Sequence, residues 1–497
     1  MLKYIRPPFR YVLAAVLFSG AVTAGFEIPE AEAQRQSARG PKTVAPIARD
    51  LIPAVVNIST SQVSKGSRGV PLPEVPDGAP FEKFFDDFFN QEGDGPPVGR
   101  KVSSLGSGFV IDGKEGLIVT NNHVITDADE IFVNFFDGTK LKVEKVLGRD
   151  AKTDLALLKV EPRAPLAEVK FGLSEPMLVG DWVMAIGNPF GLGGSVTVGI
   201  ISAKERDINS GPYDDYLQTD AAINKGNSGG PLFNMDGDVI GVNTAIISPT
   251  GGSIGIGFAV PSDTAVNVIE QLRLYGETRR GWLGVRIQSI SEDIASSLGV
   301  DAKKGALVAA VDTDSPAALS GLKNGDVILL FDGKEIITMR GLPRIVAQTP
   351  IGKSVPVEIL RDGKPMTLSV EVGRLNEAGA SSEAEEKTET DDKSETSTGP
   401  AIAGLSVSVM SDELRKKYSL GVQTSGLVVT AVEESSPAGK KNVREGDVIV
   451  EVGQEKVETV EALEKAVERV RKSGRKAVLL RIETPRGDLR FVAVPLK

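Results

Sequence analysis

The sequence predicts a mainly β protein of several domains, and three observations carry that prediction. From Ser104 to about Val260, short apolar segments alternate with glycine-rich turns at close spacing, the pattern of an all-β sandwich or a pair of barrels. Beyond residue 280 one pattern occurs twice, on either side of a polar acidic run. The length of 497 residues exceeds what a single hydrophobic core usually supports.

Composition narrows the class. Hydrophobic residues make up 41% and charged residues 25%, as in ordinary globular proteins, and 54 glycines beside only 5% aromatics favour turns and strands. The net charge of −10 argues against nucleic acid as a main partner. There is no cysteine, which excludes disulfides, thiolate catalysis and cysteine–zinc sites. With a single histidine, His123, a multi-histidine metal site is not expected, and no cofactor or metal is called for.

Residues 1–33 read as an export signal. Lys3, Arg6 and Arg10 precede an apolar run from Val12 to Gly25, and Ala31-Glu32-Ala33 supplies a cleavage pattern ending at Ala33. An uncleaved anchor is the rival reading and would keep the protein at a membrane surface, but the run is short for a span. Cleavage would leave the mature protein outside the cytoplasm.

The first domain is expected over 34–275. Within it, 61–101 is a long loop rich in proline, glycine and acidic residues. The loop carries Phe81, Phe84, Phe85, Phe88 and Phe89 at the spacing of an apolar helical stripe, suited to docking on a partner subunit or covering a cleft. The strands follow, and Ser262 to Tyr275 closes the domain as an amphipathic helix, with Val266, Ile269, Leu272 and Leu274 toward one side.

Two small β-rich modules come next, at 276–375 and 401–497. Gly305 to Val327 aligns without gaps to Gly426 to Val448, Ser315-Pro316 matches Ser436-Pro437, and Thr338, Leu342 and Val346 answer Thr459, Leu463 and Val467. Between the modules, 376–400 has no apolar residue able to anchor a core and reads as a flexible acidic linker.

The chemistry centres on Asn224-Lys225-Gly226-Asn227-Ser228-Gly229-Gly230-Pro231-Leu232. Glycines permit backbone conformations that a side chain would penalise, and they let a substrate carbonyl approach Ser228. A serine hydroxyl is a weak nucleophile and needs a base, most often histidine, because its pKa lies near working pH. Here His123 is the only candidate, just after a strand in Thr120-Asn121-Asn122-His123-Val124. Asp154, immediately ahead of the apolar Leu155-Ala156-Leu157-Leu158, can be partly buried and hold the imidazole tautomer. A glycine-rich turn, a filler histidine and a turn aspartate are the separate structural alternatives.

The order His, Asp, Ser in an all-β domain resembles the chymotrypsin-like serine peptidases. More closely, the segments around His123, Thr153-Asp154-Leu155-Ala156 and Gly226-Asn227-Ser228-Gly229-Gly230-Pro231 resemble the HtrA (DegP, Do-like) family, and the two C-terminal modules resemble PDZ domains. The resemblance implies a double β-barrel protease domain followed by two PDZ modules. It implies Ser228 as nucleophile, His123 as general base and acid, and Asp154 as the orienting carboxylate. The N–H groups of Gly226 and Ser228 would form the oxyanion hole, with Asn227 in the same loop.

The resemblance carries further expectations. Arg206 matches a sensor-loop arginine, and Ile223, Ile246 and Ile247 match positions that shape the primary specificity pocket, favouring small aliphatic side chains. Gly281, Trp282, Leu283, Gly284 and Val285 resemble the loop that captures a peptide C-terminal carboxylate. In the second module Gly404-Leu405-Ser406-Val407 stands in the equivalent place and departs from that pattern. The implied partners are unfolded polypeptides and peptide C-termini, the implied assembly a homotrimer or larger multiple, and the location the periplasm. The family assembles through aromatics near the mature N-terminus, and residues 34–58 contain none. A holdase or scaffold in which the PDZ modules act with little proteolysis is the alternative.

Overall fold

The computed structural model describes residues 40–63, 100–189, 193–224, 226–247, 252–298, 304–361, 363–376, 403–453, 455–475 and 477–496. The export segment, the five phenylalanines of the long loop and nearly all of the acidic linker lie outside the described residues.

The first lobe opens with α1 (Ala45–Leu51), whose chain runs into β1 (Val55–Val63). β2 (Arg100–Asp112), β3 (Leu117–Thr120), β4 (Glu130–Asn134), β5 (Lys140–Lys142), β6 (Lys145–Asp150) and β7 (Leu155–Lys159) complete an antiparallel sheet in the order β5-β4-β1-β2-β3-β7-β6. A one-turn helix, α2 (Asn122–Ile125), follows β3 and carries His123. The lobe packs on buried Val56, Ile58, Val110, Ile118, Val124 and Leu158.

The second lobe is a closed barrel of β8 (Trp182–Gly187), β9 (Ser195–Arg206), β10 (Tyr216–Thr219), β11 (Pro231–Phe233), β12 (Val239–Ile246) and β13 (Gly257–Pro261), in the order β10-β13-β12-β11-β8-β9. Helix α3 (Ser262–Tyr275) follows, ending on Gly276 at φ 74°, a left-handed cap that glycine adopts without strain. Its buried side chains are Ala265, Val268, Ile269 and Leu272, whereas Leu274 is 70% exposed and Val266 half-buried. The core-facing stripe therefore keeps Ile269 and Leu272 of the expected four and takes Ala265 and Val268 in place of Val266 and Leu274. It starts at Ala265, from which positions i+3, i+4 and i+7 fall on one face.

Each module repeats one plan. The first contains β14 (Gly281–Trp282), β15 (Val285–Gln288), α4 (Glu292–Leu298), β16 (Ala306–Val311), α5 (Pro316–Leu319), β17 (Val327–Phe331), β18 (Lys334–Glu335), α6 (Gly341–Gln348), β19 (Ser354–Arg361), β20 (Lys364–Glu371) and β21 (Gly373–Arg374). The second contains β22 (Leu405–Val409), α7 (Asp412–Lys417), β23 (Leu427–Val432), β24 (Val448–Val452), β25 (Glu455–Lys456), α8 (Val460–Lys472), β26 (Ala477–Glu483) and β27 (Leu489–Pro495). The matched residues do the same work in both. Leu342 and Val346 of α6, like Leu463 and Val467 of α8, are buried in their module's core. Ser315 Oγ accepts from Ala318 N at 3.1 Å, and Ser436 Oγ accepts from Gly439 N at 3.1 Å.

One difference between the copies has a physical cause. β19 alternates buried and exposed residues, as a sheet with one wet face should, but β26 is buried almost throughout. The outer faces of β26 and β27, through Leu479 and Phe491, pack against Ile290, Ile294 and Leu298 of the first module. Gln288 completes the contact: its Nε2 donates to Phe491 O at 2.9 Å, and Phe491 N donates to its Oε1 at 2.8 Å.

Candidate active site

The site forms where the two lobes meet. Ser107 N on β2 donates to Ser228 O at 2.8 Å, and Asn121 Nδ2 donates across to Thr244 Oγ1 on β12 at 3.1 Å. Gly229 lies so close to the first lobe that a Cβ there would stand 2.3 Å from Ser107 O and 2.4 Å from Thr120 Oγ1, and its φ is +84°. Only glycine fits, and its fit brings the serine turn beside the segment that ends in His123.

His123 and Asp154 are held against each other by their backbones as well as their side chains. Asp154 Oδ2 is 2.5 Å from His123 Nδ1, and Asp154 Oδ1 accepts from His123 N at 2.8 Å. The Asp154 carbonyl accepts from Asn122 N at 3.1 Å and Asn121 Nδ2 at 2.7 Å. Asp154 adopts φ 56°, a left-handed conformation that aspartate tolerates better than most residues. The side chain of His123 is 50% exposed and that of Asp154 is 21% exposed, so the imidazole faces solvent while the carboxylate is largely covered.

Ser228 is half-buried in the turn that follows Gly226. No hydrogen bond joins it to His123 among the described residues; without substrate, catalytic contacts of this kind are often long. The backbone around it is sorted by direction. Asn227 N is consumed by Asn224 O at 3.0 Å, and Gly230 N by Asn227 O at 3.0 Å. Among the described residues neither Gly226 N nor Ser228 N has an acceptor, so both can donate to an oxyanion. Asn227 itself is 4% exposed and sits beneath the turn.

The remaining expected positions fall in distinct environments. Ile223 is 1% exposed and belongs to the barrel core, Ile246 is half-buried against that core, and Ile247 is 52% exposed. They thus step from core to surface beside the serine turn. Arg206 ends β9, where its Nε donates to Gln218 Oε1 at 2.9 Å.

In the first module Trp282 is half-buried and Leu283 is 3% exposed. Leu283 O accepts from Ala317 N and Gly284 O from Asp312 N, each at 2.9 Å. The N–H groups of Leu283 and Gly284 have no acceptor among the described residues, which suits them to an incoming carboxylate next to Val285 on the edge strand β15.

The second module corrects the sequence alignment. Gly404, not Leu405 or any later residue, takes the place of Gly284. Both glycines have positive φ, 76° and 86°, and a Cβ on either would collide with the matched serine, Ser315 at 2.2 Å or Ser436 at 2.1 Å. Gly404 O accepts from Glu433 N at 2.9 Å, as Gly284 O does from Asp312 N. Ala403-Gly404-Leu405 is therefore the counterpart of Leu283-Gly284-Val285, with the glycine kept and alanine standing for leucine.

Residues that sequence reasoning did not select also shape the site. Arg280, just ahead of the first module's loop, forms a buried ion pair with Asp150, and its guanidinium stacks 4.8 Å from the Tyr213 ring. Asp150 in turn accepts from Thr153 Oγ1 at 2.5 Å, one residue before Asp154. Arg340 pairs with Asp207 and donates to Asn209 Oδ1 at 2.8 Å, and Arg344 pairs with Asp215. Helix α6 is thereby tied to the segment following Arg206.

Comparison with known proteins agrees with this arrangement. Residues 106–242 match a trypsin-like peptidase domain, and residues 281–372 and 393–483 each match a PDZ domain. The fold and site define a trypsin-like serine endopeptidase with two PDZ domains. The chain is 40% identical over 520 residues to a probable periplasmic serine endoprotease DegP-like of Brucella melitensis, covering 98% of each protein. A protein of the same name from Rhizobium meliloti is 40% identical over 507 residues, with 97% of this chain and 98% of that one covered. The solved HtrA-type protease AlgW with decapeptide is 41% identical, with a TM-score of 0.55, over 67% of this chain and 99% of that one. The chain belongs to the DegP-like (HtrA) family of serine endoproteases.

Proposed function

We propose that the protein is an ATP-independent periplasmic endopeptidase that degrades unfolded or damaged envelope proteins through an acyl-enzyme. The observation that carries this reading is the doubly bonded His123–Asp154 pair beside a serine turn with two unspent N–H donors. Ser228 Oγ attacks the scissile carbonyl while His123 takes its proton through Nε2, because Nδ1 faces Asp154. The negative charge of the tetrahedral intermediate falls to Gly226 N and Ser228 N. His123 then returns the proton to the leaving amine, and water repeats the sequence on the ester. Asp154 stabilises the imidazolium.

Ile223, Ile246 and Ile247 support a preference for small aliphatic side chains before the scissile bond, and among them stands no carboxylate to select lysine or arginine. Capture of a peptide C-terminus at Leu283 and Gly284 would position clients, and Arg206 directly precedes the segment that Arg340 and Arg344 brace. Periplasmic location follows the naming of the relatives, with cleavage after Ala33 as the expected route.

Assembly as a homotrimer or larger multiple is part of this reading, and exposed apolar residues on and beside β8 and β9 offer a place for a second copy to pack. Leu178 is 67% exposed, Val179 62%, Trp182 43% and Val198 38%, and the register β8–β9 sets Trp182 opposite Ile200 and Met184 opposite Val198. Single exposed apolar residues are ordinary, but several close together are a common feature of interfaces.

The test is Ser228→Ala. Purified variant should lose casein degradation while still delaying aggregation of a denatured client, which would show that holding does not require the nucleophile. Continued casein cleavage would refute the assignment of the nucleophile.

A further inference from the structure

We propose that Ser107 is a positioning residue that holds the oxyanion hole from behind. The inference deepens the reading of Ser228 as nucleophile and rests on it. Ser107 is fully buried on β2 and is not part of the triad. Its Oγ donates to Gly226 O at 2.5 Å, and its N–H donates to Ser228 O at 2.8 Å. Gly226 and Ser228 are the two residues of the serine turn whose own N–H groups have no acceptor among the described residues. Each donor residue is thus gripped by its carbonyl, and both grips come from one side chain and backbone.

The direction of a peptide N–H depends on φ and ψ of the residues around it, and Gly226 has wide freedom in both. At φ +103° it occupies a region closed to most side chains, so nothing intrinsic to glycine confines it there. Its N–H belongs to the peptide before it and its carbonyl to the peptide after, so a hydrogen bond to that carbonyl anchors the far side of Gly226 and limits how the donor peptide can turn. Preorganised donors stabilise a developing charge because they need no reorientation during the reaction, and that advantage is lost if the peptide can swing.

Ser107 is itself fixed on its remaining sides. Its Oγ accepts from Asn188 N at 2.8 Å, and its carbonyl accepts from Thr120 Oγ1 at 2.7 Å. The first contact uses the hydroxyl as donor and acceptor at once, which settles the rotor toward Gly226. The second ties Ser107 to the strand that ends next to His123. Serine offers a strong donor and acceptor together on one short side chain, and both are used here.

The experiment compares wild type, Ser107→Ala and Ser228→Ala in the full-length protein. Two quantities are read: kcat and KM on an internally quenched peptide, and affinity for a peptidyl trifluoromethyl ketone. The ketone captures the serine oxygen as a hemiketal, with the serine proton passing to histidine and the carbonyl oxygen becoming the oxyanion. Ser107→Ala should lower kcat about 10- to 100-fold with KM within about 2-fold, and weaken ketone binding by a similar factor. Binding of the corresponding peptide amide, which forms no oxyanion, should be unchanged. A merely structural role would shift amide binding and the thermal midpoint together.

Wild-type kcat and ketone affinity in Ser107→Ala would overturn the proposal. Hemiketal formation by Ser228→Ala would instead overturn the assignment of the nucleophile, so the two failures are distinct. If Ser107→Ala loses its near-ultraviolet circular dichroism, Ser107→Cys, which keeps the volume and a weak donor, is judged by the same criteria.

Discussion

Asp154 gives both of its carboxylate oxygens to one residue: Oδ1 accepts the backbone N–H of His123 at 2.8 Å, and Oδ2 lies 2.5 Å from its Nδ1. The imidazole is therefore held by its own main chain as well as its ring. Asp154→Asn should preserve the outer contact through the amide oxygen but turn an N–H donor toward the ring or force the wrong tautomer. We expect kcat to fall about 10³- to 10⁴-fold, as such a change does in other serine proteases, with little change in thermal midpoint. A loss below about tenfold in a peptide hydrolysis assay would deny Asp154 its role.

Arg280 and Asp150 are 7% and 4% exposed, and both sit between the peptidase and the first PDZ domain. Removing one partner of a buried pair leaves the other charge without compensation, a cost of about 3–5 kcal/mol. Arg280→Ala should lower the thermal midpoint, and adding Asp150→Ala should recover part of the loss. Additive losses in the double variant would show that the pair is not coupled. Because Asp150 also anchors Thr153, kcat should fall in Arg280→Ala even at temperatures where the protein is folded.

Burial pushes the Asp215 carboxyl above its ordinary range, against the opposing pull of the Arg344 guanidinium. An acid whose folded pKa is raised lets the folded state hold a proton that the unfolded chain has released. Its contribution to stability is then present below the unfolded pKa and is lost as pH rises through the folded value. Asp215→Asn should remove this slope, so the thermal midpoint of wild type should gain on that of the variant as pH falls from 7 toward 4. Parallel curves, or a variant whose midpoint gains on that of wild type on acidification, would contradict the assignment.

Trp182 stands 43% exposed in the apolar patch of the barrel. Placing a charge there, as Trp182→Asp, should disfavour burial against a second copy and shift the protein to monomers in size-exclusion chromatography with light scattering. Identical masses for wild type and variant would remove the patch from the assembly.

How far the sequence was legible follows from the range of each interaction. The triad could be assembled from short motifs, because His123 is the only imidazole and Gly226 and Gly229 frame Ser228. Ser107 was hidden: it reads as one more strand residue, and its partners Gly226 and Ser228 lie more than a hundred positions away. The same holds for Arg280, which meets Asp150 across 130 residues. The loop around Gly404 is hard to align by spacing because the interval from Gly404 to Ser436 is one residue longer than that from Gly284 to Ser315. A glycine found by spacing alone was assigned to the wrong place in the loop. On α3 the apolar letters were read correctly, but which of them faces the core depended on strands that pack later.

The central claim is that Ser228 is a nucleophile activated by His123. Its most direct test is mass spectrometry of the protein after treatment with a fluorophosphonate. A single adduct mapped to Ser228, absent from protein carrying His123→Ala, is the predicted result. Labelling of another residue, or undiminished labelling of Ser228 without His123, would contradict the account.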